Sequence, residues 1–137
     1  MKSEPETNID SICHLGHKQY TVKNYDSALR LFYSAWLKIP KPQHQQADAA
    51  KVLTRIGDTY YRMGKYNPAI EALRSALACP HTDERPLAML RLGQSLLNNG
   101  HDAQARTYLH KAYRLTGEPA FANENPKYRR AIADLVI

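Results

Sequence analysis

Three copies of one spacing of small residues constrain what this chain can fold into. In each copy a glycine is followed by an alanine 12 residues later and by a second alanine 7 residues after that. The copies are Gly16, Ala28 and Ala35; Gly57, Ala69 and Ala76; and Gly93, Ala105 and Ala112. Small residues at fixed points predict close helix crossings, because larger side chains would hold the backbones apart. Self-similarity at this period predicts a helical solenoid.

The clearest copy lies in residues 50–80, which read as two helices joined by a tight turn. Apolar residues recur at helical spacing on both sides of that turn. Gly64 is expected to end the first helix in the left-handed conformation. Asn67 is expected to cap the next helix, with Pro68 in its first turn.

This pattern of apolar, small, aromatic and Gly-x-Tyr-x-x-Ala positions resembles the tetratricopeptide repeat. The first copy departs from it at Gln19 and the third at Asp102. The middle copy carries Leu53, Ile56, Gly57, Tyr60, Gly64, Tyr66, Ala69, Leu73, Ala76 and Pro80. The resemblance implies an all-α fold, a right-handed α-solenoid of three helix-turn-helix repeats in a single domain, residues 1–137. The repeats would span about residues 9–42, 43–82 and 83–117, followed by a C-terminal capping helix at about 125–136.

The first pair of helices is expected at about residues 8–22 and 25–39. The repeat then lengthens, because Gly16 and Gly57 are 41 residues apart, against about 34 in the common repeat. Residues 43–50 are good helix formers, so the third helix is expected to start early, near residues 42–43. A polar loop is the alternative.

The later helices have their own predicted boundaries. The fourth is expected at about residues 68–79, the fifth up to about residue 98, and the sixth up to residue 116. Thr82 or Asp83 is expected to cap the fifth helix, and Asp102 the sixth.

The composition narrows the functional classes. The 137 residues carry a formal net charge of +6, and this favours acidic partners unless the charge serves only solubility. No apolar run is long enough to span a membrane, and no signal-peptide pattern opens the chain. The two cysteines have no paired spacing. We therefore expect a cytoplasmic protein with reduced thiols and no membrane association.

The resemblance also implies where a partner binds, because the first helix of each repeat lines a concave groove in that family. The basic and aromatic groups expected there suit an extended or helical protein segment with acidic residues. The predicted groove residues are Cys13, His14, His17, Tyr20, Lys51, Thr54, Arg55, Asp58, Tyr61, Arg62, Leu90, Arg91 and Gln94.

Two sharper hypotheses are weighed against this groove. Some family members clamp the C-terminal carboxylate of a chaperone; at the corresponding positions of this chain only Arg91 matches, and Asp58 would repel a carboxylate. Cys13, His17 and Asp58 could form a metal site or an activated nucleophile. That spacing is not distinctive, so no metal, catalytic residue or cofactor is predicted, and the sequence offers no motif for an enzyme.

The sequence therefore predicts a protein-interaction module or adaptor that binds a peptide or helical segment in its groove. The alternatives are a bacterial secretion-type chaperone and a self-associating scaffold, with a homodimer possible. An RNA-binding helical repeat is a further class, in which tyrosines would stack bases. Nucleic acid is disfavoured because the basic residues are scattered around the helices.

Overall fold

The computed structural model describes residues 8–80 and 85–136, which form helices and turns without a strand. Six longer helices follow one another in pairs: α1 (Ile9–Thr21) and α2 (Tyr25–Lys38), α3 (Ala49–Arg62) and α4 (Tyr66–Ala78), α5 (Arg85–Asn98) and α6 (Asp102–Thr116). A short helix, α7 (Pro126–Arg130), comes last. The two helices of each pair pack together, and the second helix of one pair packs on the first helix of the next. The predicted all-α fold of stacked helix pairs is confirmed.

The small residues lie where the helices of each pair cross. A Cβ atom added to Gly16 would lie 2.7 Å from the Phe32 ring, and one added to Gly93 would lie 2.7 Å from Leu109 Cγ. The repeated alanines that follow each glycine are fully buried. The close crossings predicted from the spacing are therefore present, and large side chains of the second helix fill the space above each glycine.

The turns agree with the sequence in part. Gly64 has a φ of 74°, as predicted for the residue that ends α3. The predicted caps at Asn67 and Asp102 are wrong, because α4 and α6 begin earlier than expected. Hydrogen bonds from Ala69 N to Lys65 O and from Ala105 N to His101 O already belong to these helices. Thr82 and Asp83 lie outside the described residues.

The early start predicted for the third helix is also wrong. Residues 43–45 form a single 3-10 turn, and α3 begins at Ala49. Gln43 Nε2 donates to Trp36 O at 2.8 Å, and the His44 and Trp36 rings meet edge to face. These contacts hold the segment against α2, so it does not extend the helix.

The C-terminal segment, residues 118–136, is not the continuous helix expected at 125–136. It consists of two 3-10 turns with α7 between them. Arg106 Nε donates to Ala131 O at 3.0 Å and so takes a carbonyl that a longer helix would use. The segment still covers the last helix pair, since Phe121, Tyr128 and Ile132 are buried in one cluster with Met89 and Leu109. No helix in the described ranges is long and apolar enough to cross a membrane.

Candidate functional site

The predicted groove residues lie on α1, α3 and α5, whose shared side is called the inner face here. Hydrogen bonds between side chains join these three helices. Eight of the predicted groove residues are exposed or half-exposed: Cys13, His14, His17, Tyr20, Lys51, Arg55, Tyr61 and Arg62. The other five are buried: Thr54, Asp58, Leu90, Arg91 and Gln94. The inner face is therefore open along α1 and the adjoining part of α3, and closed along α5.

Asp58 is the centre of a hydrogen-bonded network across the inner face. Its Oδ1 atom accepts from Tyr20 Oη on α1 at 2.9 Å and from Arg91 Nε on α5 at 2.7 Å. Tyr20 Oη in turn accepts from Arg62 Nε at 2.8 Å. One carboxylate thus fixes the side chains of three helices, and it is already occupied by partners from this chain.

The C-terminal segment completes this network from the other side. Glu124 Oε1 accepts from Arg91 Nη1 at 3.1 Å and from Gln94 Nε2 at 2.8 Å, while Arg91 Nη1 also donates to Gln94 Oε1 at 2.9 Å. Burial lowers the pKa of Arg91, but the facing carboxylates of Asp58 and Glu124 outweigh that effect and raise it above the ordinary value. Arg91 therefore stays protonated, and its charge is neutralised within the protein.

Tyr128 forms the second contact between the C-terminal segment and the inner face. Its hydroxyl lies 2.9 Å from the hydroxyl of Tyr61 and accepts from Asn98 Nδ2 at 2.7 Å. Burial and the hydrogen bond to Tyr128 raise the pKa of Tyr61. The Arg91 guanidinium also lies over the Tyr61 ring, 5.1 Å from its centroid. The α5 end of the inner face is thus walled off by two residues of the C-terminal segment.

The open part of the inner face keeps one ordered array of polar side chains. The His17 and Tyr20 rings stack with 6.1 Å between their centroids, and Arg62 is held through its Nε atom by Tyr20. The terminal amino groups of Arg62 have no hydrogen-bond partner in the part of the chain that the structure describes. A guanidinium that is hydrogen-bonded through Nε, and whose terminal amino groups are free to donate, can bind a carboxylate.

Lys51 and Cys13 lie at the other end of the open part. Lys51 Nζ donates to Asp10 Oδ1 at 2.8 Å, and Asp48 is 4.0 Å away. That hydrogen bond to Asp10 raises the pKa of Lys51. Burial raises the pKa of the Cys13 thiol, so little of the reactive thiolate is present at neutral pH.

The hypothesis of a metal or nucleophile site at Cys13, His17 and Asp58 finds no geometric support. Within residues 8–80 and 85–136, no three His, Cys, Asp or Glu side chains are grouped so that they could hold a metal ion. Asp58 is hydrogen-bonded to Tyr20 and Arg91 and so does not orient the imidazole.

Sequence reasoning missed the residues that close the inner face, which are Asn98, Glu124 and Tyr128. A signal for Tyr128 was present, because Asn125-Pro126 marks a helix start and places Tyr128 and Ile132 on one face. Glu124 lies in a turn, and helical periodicity does not predict the direction of a side chain in a turn.

Comparison with known proteins assigns the family. Two family models, both described as tetratricopeptide repeat, match residues 50–78 and 87–115. These ranges cover α3 with α4 and α5 with α6. The chain is a tetratricopeptide repeat protein. Among curated proteins, none matches this tetratricopeptide repeat protein by sequence.

Solved structures with the same fold include two described with bound peptides. The Yersinia enterocolitica type III secretion chaperone SycD, in complex with a peptide of the translocator YopD, is 19% identical with a TM-score of 0.70, covering 93% of this chain and 91% of that chain. The first tetratricopeptide domain of Spaghetti (RPAP3), bound to the HSP90 peptide SRMEEVD, is 18% identical with a TM-score of 0.72, covering 92% and 94%. The N-terminal domain of stress-induced protein-1 from C. elegans is 14% identical with a TM-score of 0.67, covering 95% and 98%. At these identities the likeness concerns the fold.

The inner face of this tetratricopeptide repeat protein does not form the carboxylate clamp considered above. Arg91 is the one matching residue, and it is buried against Asp58, Glu124 and Gln94. A ligand carboxylate at Arg91 would have to replace one of these partners.

Proposed function

We propose that this protein is a non-catalytic interaction module that binds a segment of a partner protein along the open part of its inner face. The observation that carries the proposal is the array of His17, Tyr20 and Arg62. Its side chains are ordered before a ligand arrives, so binding costs little side-chain entropy. An acidic residue of the partner would contact Arg62. A cytoplasmic location belongs to the same proposal.

The binding surface we propose is shorter than the groove predicted from the sequence. Expelling the C-terminal segment would expose Phe121, Tyr128 and Ile132, all buried, at about 1.5–3 kcal/mol each. A ligand with a micromolar Kd gains only about 8 kcal/mol in total. Such a ligand would lose most of its binding energy by opening the α5 end, so we place it on α1 and α3.

The second candidate is a chaperone of the secretion type, which would keep a partner soluble until it is delivered. The likeness to SycD supports it, since that likeness extends over more than nine-tenths of both chains. A structure of SycD is also described as an alternative dimer. Co-expression separates the two candidates: a chaperone is required for the partner's solubility, whereas an adaptor is not.

Site-specific crosslinking tests the location of the bound segment. A photoreactive side chain replaces His17 in one variant and Lys38, an exposed residue at the end of α2, in a matched control. We expect a partner to be crosslinked from position 17 and not from position 38. Arg62→Glu should abolish that crosslink, while Lys38→Glu, with the same change of charge, should preserve it. A partner crosslinked equally from both positions, or retained in the Arg62→Glu variant, would refute the inner-face site.

A further inference from the structure

Three cations that have no carboxylate partner among the described residues, Arg85, Lys111 and Arg114, lie around one cavity beside α6. On the inner face, Arg91 is paired with Asp58 and Glu124, and Lys51 is paired with Asp10. Around α6, neither Arg85 nor Arg114 has a hydrogen bond or ion pair among the described residues, and Lys111 contacts only the Tyr108 ring, 5.2 Å from its centroid.

These cations line two neighbouring surface cavities. One, of about 310 Å³, is formed by Arg85, Met89, Lys111, Arg114 and Leu115. The other, of about 330 Å³, shares Lys111 and Arg114 and extends along α6 to Leu135. We call the surface formed by Arg85, His110, Lys111, Arg114, Leu115 and Leu135 the α6 surface.

The α6 surface combines the cations with exposed aliphatic side chains. Leu115 is 55% exposed and Leu135 is 42% exposed, so both have apolar area available for a partner. Lys111, Arg114 and Leu115 are spaced i, i+3 and i+4, which places them on one side of α6. The aliphatic groups therefore lie among the cations and are not separated from them.

We propose that the α6 surface is a second binding site, and that it takes an amphipathic segment of a partner protein whose aliphatic residues are flanked by glutamates or aspartates. The aliphatic side chains would enter the cavities, and the carboxylates would meet Arg85, Lys111 and Arg114. Complementary charge favours this partner over a neutral one. Exposed leucines beside cavities favour a protein segment over a nucleic acid, because phosphates gain nothing from aliphatic contacts.

This site is independent of the inner face, so its test uses its own probe. The probe is a fluorescent peptide that alternates pairs of glutamates with pairs of leucines, and its binding is followed by anisotropy with the full-length protein. The test variant is Lys111→Glu/Arg114→Glu. The matched control is Arg30→Glu/Lys38→Glu on α2, which makes the same change of net charge at exposed positions. A second variant, Leu115→Ser, leaves the charge unchanged.

We expect Lys111→Glu/Arg114→Glu to weaken binding by about tenfold or more, since close charge pairs at interfaces contribute on this scale. Leu115→Ser should weaken it measurably, while the α2 control should leave it unchanged. Equal weakening by the α2 control would overturn the proposal, because binding would then follow net charge alone. A peptide with serine in place of leucine that binds equally well would also overturn it. So would preferential binding of a single-stranded oligonucleotide or of anionic vesicles at the α6 surface.

Discussion

Arg91 Nε lies 2.7 Å from Asp58 Oδ1, and both side chains are more than nine-tenths shielded from solvent. Removing two charges from water is costly, and the cost is recovered only when every charged group has a partner. Glu124 and Gln94 supply the remaining partners of Arg91. The pair therefore holds α3, α5 and the C-terminal segment in one arrangement. Its role is to stabilise the fold more than to bind a ligand.

Arg91→Met is expected to destabilise the protein by about 3–5 kcal/mol, because it leaves the buried carboxylate of Asp58 and the partly buried carboxylate of Glu124 without a countercharge. Urea denaturation followed by circular dichroism measures the change, with Lys38→Met as an exposed control. Combining Arg91→Met with Asp58→Asn and Glu124→Gln should recover much of the loss, since no buried charge then lacks a partner. A loss below about 1 kcal/mol in Arg91→Met would contradict the network.

Gly57→Ala is expected to cost about 1–3 kcal/mol of the free energy of unfolding through overpacking. The added Cβ would lie 2.6 Å from Leu73 Cδ2. Thermal and urea unfolding measure the change. Because the clash is with Leu73, the double variant Gly57→Ala/Leu73→Ala should be less destabilised than the sum of the two single variants. Strict additivity would show that these residues do not meet.

Tyr128→Phe is expected to cost about 1–3 kcal/mol, because Tyr61 Oη and Asn98 Nδ2 both lose a partner in a partly buried site. Tyr66→Phe serves as the control, because the Tyr66 hydroxyl has no hydrogen bond among the described residues. Equal stability of the two variants would show that the hydroxyl of Tyr128 does not hold the C-terminal segment.

Alkaline titration tests the contact between Tyr33 and Tyr60, whose hydroxyls are 3.0 Å apart. Burial and the hydrogen bond to Tyr60 raise the pKa of Tyr33 to about 12. Because the folded pKa is raised, the resulting stability is fully present below about pH 10, the ordinary tyrosine pKa. It is lost as the pH rises toward about 12. Tyrosinate absorbance should show Tyr60→Phe bringing one group's pKa back toward the ordinary value, whereas Tyr66→Phe should not.

The sequence predicted the helix pairs well because the repeat is a local signal. The same spacing marks the helix crossings at Gly16, Gly57 and Gly93, so each copy of the repeat supports the others. The composition of residues 43–50 misled the prediction of the third helix, because the contact of Gln43 with Trp36 depends on how α2 and α3 pack.

The candidate site was predicted only in part, for a related reason. Tyr20, Asp58 and Arg91 were placed together correctly, because helix periodicity fixes which side chains share a face. The burial of Asp58 and Arg91 was not predicted, because it depends on where Glu124 and Tyr128 come to lie at the far end of the chain. A repeat pattern therefore predicts which residues line a groove, but it does not predict how accessible those residues are.

The contact between Tyr61 and Tyr128 spans 67 residues of sequence, and this has a consequence for the order of events during synthesis. At about 5–20 residues per second, the ribosome adds Tyr128 roughly 3–13 seconds after Tyr61. During that interval the nascent helices present Tyr61 without its partner and, once α5 has emerged, Arg91 without Glu124. A partner that meets the nascent chain would therefore find a longer groove than one that meets the finished protein.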